Sequence, residues 1–353
     1  MMLSRRRFVG TLPGAALLPK IMVQTEVPSG HPILQTLAPV LASARHVRLD
    51  EDRIRDVASW MAFEELPWPD FRSPLDVQSS EADAMDFIFL TSTINFAFTD
   101  FETHEMFKVD YAGAMRSDSD AMVACLKRAF DRGVPILDGG YLAEIRRPKL
   151  EEIFRGNIVM PMLEERLAIF HEVGAVLKER YQGRFHRFVS GAPPRLYDGG
   201  KGLLERLLAE FPSFRDESDY RGHRVSFQKR AQLLFWNLHA RFRDGGFFRL
   251  EDAGKLTVFA DYIVPVALRL FRITSYSEEL EASINARRLL PAHGEEEVEI
   301  RAFTLWAMHL LTRAINELRP SDRQVIEPVV DGRIWTHYHT THWPHHLTVT
   351  TAY

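Results

Sequence analysis

A single carboxylate, Asp261, stands in the run TVFADYIVP (257–265), among Val258, Phe259, Ala260, Ile263 and Val264. A run this apolar belongs in an interior, and an ionised carboxylate taken there without a partner is expensive. The chain must bring a cation to it. The stretch FPSFRDESDYRGHRVSFQKRAQ (211–232) sets Arg215, Arg221, Arg224, Lys229 and Arg230 beside Phe211, Phe214, Tyr220 and Phe227. Lys229 and Arg230 are the cations expected to pair with Asp261. That pairing requires the segments around 229 and 261 to pack together.

The rest of the chain reads as helix. In residues 159–181, Leu163, Leu167, Phe170, Val173 and Leu177 form one stripe at helical spacing. Pro161 suits the first turn, and Glu164 and Glu165 suit the positive end of the helix dipole. Asp120 is expected to cap a helix running through Phe130, ended by Gly133 with Pro135 beyond. Further helices are predicted over 202–211, 225–243, 255–273 and 299–318. Alternating strand patterns are scarce; VEIRAF (298–303) is the one stretch open to misreading as a strand. The Pro/Gly-rich GAPPRLYDGGKG (191–202) is expected to join two lobes around one site, because candidate motifs lie on both sides of it.

Composition excludes several classes. A net charge of −4 provides no global footprint for nucleic acid. One cysteine, Cys125, rules out an internal disulfide and a multi-cysteine metal site; its amphipathic surroundings suggest a buried thiol. There is no HExxH, P-loop or dinucleotide fingerprint. No run reaches the roughly 18 apolar residues of a membrane span. SRRRFVG (4–10) is similar to a twin-arginine export motif, but the apolar stretch after it is short and holds two prolines. Residues 1–30 are therefore expected to be a disordered leader on a cytoplasmic protein. Residues 337–353 carry His337, His339, His342, His345 and His346 without an acid or cysteine; a loosely packed, incidental His-rich tail is expected rather than a metal centre.

Several motifs in order resemble the queuosine salvage family. They are NFAF (95–98), GVPILD (133–138), IFRGN, PMLEER and EVGAVL within 153–177, FPSFRDE (211–217), KRAQ (229–232), FADYIVP (259–265) and EVEIRA (297–302). The likeness runs from about Ala44 to Trp335. It implies an all-α, two-lobed fold over 31–336, related to helix-hairpin-helix DNA glycosylases. It also implies a hydrolase that cleaves the N-glycosidic bond of queuosine 5′-monophosphate and releases queuine. No cofactor or metal is implied, and the expected partner is a small nucleotide rather than nucleic acid or membrane.

Cleaving a ribose–base bond builds positive charge on the sugar, which a carboxylate beside the anomeric carbon can stabilise or attack. The resemblance assigns that role to Asp261, with Lys229 as its partner. Asn95, Phe96 and Phe98 are candidates for holding the base, and Arg230 and Arg301, with Arg215 behind them, for the 5′-phosphate. Tyr262 could bond ribose or phosphate, or simply pack. Asp100 and Glu102 could meet the amine of queuine. Queuine lacks an N7 to protonate, and Glu299 is one candidate acid, with a salt bridge to Arg301 as the alternative. Thr99 departs from the family pattern, where a tryptophan follows NFAF. A queuine-binding protein without catalysis, or a helical nucleic-acid-binding module, are the competing readings.

Overall fold

The computed structural model describes residues 27–353 apart from Ser29, Pro67, Asp70, Arg72, Gly246, Thr340 and His342. The expected leader lies almost wholly outside the described residues. Helices are the main component, and the longest, Glu295–Leu318, is buried nearly all round between Glu297 and Met308. Glu51–Met61, Val264–Leu270 and Glu327–Tyr338 pack on it. VEIRAF is thus helix: its apolar residues come from all faces because the helix is central, so amphipathic periodicity is lost. A second buried helix, Glu81–Thr93, starts where the Ser80 side chain accepts the Asp83 N–H. Packed on Lys229–Phe242 and Phe185–Ser190, it is enclosed from Ala84 to Thr93. Leu163–Arg180 runs against Gly139–Glu144 so closely that a Cβ on Gly174 would lie 2.4 Å from the Ala143 nitrogen. One contiguous cluster of buried apolar side chains extends from Ile33 to Ile334.

The all-α expectation, with its likeness to helix-hairpin-helix glycosylases, is corrected. Helices account for 52% and strands for 8% of the structure, so the fold is mixed though mostly helical. Among the described residues there are three antiparallel pairs: Val47–Leu49 with Thr274–Tyr276, Lys108–Tyr111 with Ala114–Ser117, and Glu217–Tyr220 with His223–Ser226. The last two are hairpins whose central residues, Ala112-Gly113 and Arg221-Gly222, both have positive φ. That is the two-residue turn whose twist matches paired strands. Strands of three or four residues are too short to display a period of two, which is why the pattern was not visible in the sequence.

Two further expectations change. The predicted helix over 255–273 begins only at Val264; residues 256–260 form no helix or strand, and Pro265 sits in the first turn of Val264–Leu270. Residues 343–353 are not a loose tail. His346 and Tyr353 are buried, and the Leu290 N–H donates to the Leu347 carbonyl at 2.7 Å. No described helix is long and apolar enough to cross a membrane.

Candidate active site

The site is built where the ends of three helices meet. Lys229 opens the Lys229–Phe242 helix behind Gln228, whose φ of 55° is left-handed. A non-glycine residue adopts that conformation at a cost of roughly 1–2 kcal/mol. Its side chain is held in place: it accepts the Asp216 N–H at 3.0 Å and donates to Glu217 at 3.3 Å. Asp216 in turn accepts the Lys229 N–H at 3.0 Å. The result aims the lysine at the end of the Glu81–Thr93 helix, where its ammonium donates to Asn95 Oδ1 at 2.9 Å. Asp261 lies just ahead of Val264–Leu270, and its Oδ1 accepts the N–H groups of Ile263 (2.8 Å) and Val264 (3.1 Å). These two helix-terminal donors favour its ionised form.

Asn95, Lys229 and Asp261 line one cavity of about 410 Å³, together with Asp331. Phe71, Trp236, Phe259 and Trp335 supply aromatic walls. Asp331 projects from the Glu327–Tyr338 helix and accepts the Phe259 N–H at 2.9 Å. Trp335, on the same helix, adds to the influences that favour the ionised form of Asp261. Lys229 and Asp261 do not close into an ion pair, contrary to the direct pairing expected from sequence; they border the same open volume.

Burial, opposed mainly by the charge of Asp261, pulls Lys229 down to about 8. Burial raises Asp261, against the lowering effects of Lys229 and the two N–H groups. Burial and then the Asp261 charge raise Asp331 well above the ordinary carboxylate range. Two neighbouring acids in a low-dielectric cavity resist double ionisation, so the pair keeps one proton to higher pH than an isolated carboxyl would. Behind them Asp118, at the start of Asp118–Asp131, is pushed up to about 6 by burial.

The remaining sequence candidates lie elsewhere. Arg230 is buried away from the cavity, donating to the Thr93 and Ser213 carbonyls. Arg301 forms a two-pronged pair with Asp216 at 2.8 and 2.6 Å and donates to the Ala260 carbonyl at 3.1 Å. The Glu299 carboxylate accepts the backbone N–H groups of Arg45, His46 and Val47 and the Tyr220 hydroxyl, which occupies it fully. Phe96 and Phe98 are core residues under the Arg166 guanidinium, 4.3 and 5.4 Å from it. Tyr262 faces a separate recess of about 130 Å³, shared with Asp118, His345 and Thr99. The departure at Thr99 therefore falls outside the lysine–aspartate cavity. Arg215 donates to the Leu208 carbonyl, and Asp100 caps the N–H groups of Glu102 and Thr103.

Sequence reasoning missed Asp331 and Arg166, and both carried a signal. Asp331 stands in PVVDGRIW, an acid beside apolar residues like Asp261. Arg166 interrupts the apolar stripe of its helix; it is fully buried, and its guanidinium donates to the Ile94, Phe96 and Ala97 carbonyls on either side of Asn95.

The family model described as queuosine salvage protein matches residues 75–353. A Sphaerobacter thermophilus protein named queuosine 5′-phosphate N-glycosylase/hydrolase is 36% identical over 283 residues, covering 80% of this chain and 85% of that protein. The mouse (Mus musculus) protein of the same name is 29% identical over 309 residues, covering 84% and 89%. That of Schizosaccharomyces pombe is 28% identical over 302 residues, covering 80% and 86%. Match and identity over this span establish that the chain belongs to the queuosine salvage protein family.

Proposed function

We propose that this chain hydrolyses the N-glycosidic bond of queuosine 5′-phosphate, giving free queuine and ribose 5-phosphate. The observation that carries the reading is the aromatic-walled cavity in which Lys229 and the Asp261–Asp331 pair converge. Its volume, about 410 Å³, suits a single nucleotide. The aromatic walls suit a flat base, and Asp120, on the same lining, suits the amine that queuine carries.

In this reading the bond between the anomeric carbon and the base breaks with its electron pair leaving on the base. Asp261, ionised and oriented by two N–H groups, faces the positive charge that develops on the sugar. The proton held by the acid pair passes from Asp331 to the departing base, which has no N7 to receive it. Water then bonds to the anomeric carbon and gives its proton to Asp261, so the pair ends with the one proton it began with. Lys229 holds Asn95 and keeps Asp261 anionic through its charge. The test is direct: purified protein is incubated with queuosine 5′-phosphate and the products are separated by chromatography. Queuine release is expected; none after prolonged incubation with stoichiometric protein removes the reading.

A further inference from the structure

Both sides of the cavity are tied to one buried group outside it. Arg301 Nε donates to the carbonyl of Ala260, the residue before Asp261, at 3.1 Å. Its two terminal nitrogens grip Asp216 at 2.8 and 2.6 Å. Asp216 Oδ2 also accepts the Lys229 N–H at 3.0 Å. A single planar fork thus connects the backbone at Asp261 to the backbone at Lys229, although the two residues are separated by an open cavity. An apolar pair would fill the core equally well; a guanidinium fork adds direction, because its donors lie in one plane at fixed angles.

The plane itself is held. Phe227 lies on the guanidinium at 4.0 Å and Tyr353 at 4.5 Å. Tyr353 is buried, its hydroxyl 3.1 Å from His346 Nε2. Residues 343–353 therefore reach the site without Tyr353 entering the cavity: Tyr353 clamps the fork that sets the distance between Lys229 and Asp261.

We propose that Asp216, Arg301 and Tyr353 are positioning residues for the Lys229–Asp261 site, with Tyr353 as the removable clamp. The proposal rests on the catalytic reading of that site. A displacement on the order of 1 Å between groups that act together lowers turnover by tenfold to a hundredfold. Tyr353→Leu leaves Arg301, Asp216 and the bonds between them in place but removes one aromatic face, together with the hydroxyl that meets His346. Its expected effect is a fall in kcat of about tenfold or more, with KM little changed and the alkaline limb of the pH–rate profile displaced. Tyr353→Phe restores the face and recovers most of the turnover. Arg301→Lys, which keeps the charge and loses the fork, lowers kcat in the same way and serves where Tyr353→Leu does not fold. Melting temperatures are taken on the same samples. A lower melting temperature with wild-type kcat and an unmoved pH limb in the folded variants overturns the proposal. Asp261→Asn is run in parallel. If it retains turnover, the catalytic reading fails and the clamp falls with it; if it is inactive while Tyr353→Leu and Arg301→Lys are normal, only the clamp fails.

Discussion

Asp261→Asn separates the chemistry of the site from its architecture. The amide keeps an oxygen where Oδ1 now accepts the Ile263 and Val264 N–H groups, so the start of the Val264–Leu270 helix stays capped. What disappears is the charge. For a unit charge about 4 Å from the developing cation, at an effective dielectric near 20, the lost interaction is about 4 kcal/mol. That corresponds to roughly a thousandfold in kcat. Substrate binding should fall much less, because the sugar becomes positive only towards the transition state. Stability should change little: Asp331 and Asp118 are relieved of a like charge, while buried Lys229 loses the charge that opposes its desolvation. The assay is single-turnover release of queuine, followed by chromatography, with a thermal melt on the same preparation. A folded variant that retains kcat within tenfold would remove Asp261 from the mechanism. A large loss of melting temperature would make the carboxylate a structural tether instead.

Lys229, drawn down to about 8, is charged at neutral pH, and turnover should fall as pH rises through that value. For stability the sign is opposite: the unfolded lysine, near 10.5, binds more protons between these pH values, so this group adds stability as pH rises from about 8; a flat pH–rate profile to pH 10 would exclude Lys229 from the step. Asp331→Asn keeps the size of the side chain but removes the proton donor, so kcat should drop in folded protein; a variant with near-wild-type kcat would take Asp331 out of the step. Arg230→Ala strands the buried Thr93 and Ser213 carbonyls, each worth about 1–3 kcal/mol when left unpaired, so the melting temperature should fall. KM for the 5′-phosphate substrate should hold in the folded fraction; a selective rise in KM for the phosphate form would return Arg230 to the substrate.

Local anomalies of composition survived folding. Asp261 among apolar residues and Lys229 in its basic, aromatic stretch do meet at one cavity, with Asn95 between the helices that bring them there. Helices with a one-sided stripe were also readable: Leu163–Arg180, Leu203–Glu210 and Asp118–Asp131 fall close to their predicted spans. The small strand pairs were not, since each is held by a partner strand and a turn rather than by its own pattern.

Arg230, Arg301 and Glu299 mark the limit of that reading. A charged residue in an apolar segment signals that it will be paired, and it does so whether the partner is a substrate or the protein itself. Here all three are saturated by protein groups: carbonyls for Arg230, Asp216 and a carbonyl for Arg301, four donors for Glu299. The chain alone was enough to show that charges would be buried, because their cost depends on local apolarity. Which of them face a cavity and which face a partner depends on contacts between residues far apart in the chain. Only the packed structure decides that, and it is what brought Asp331 to Asp261 and left Arg301 behind the site, holding it in register.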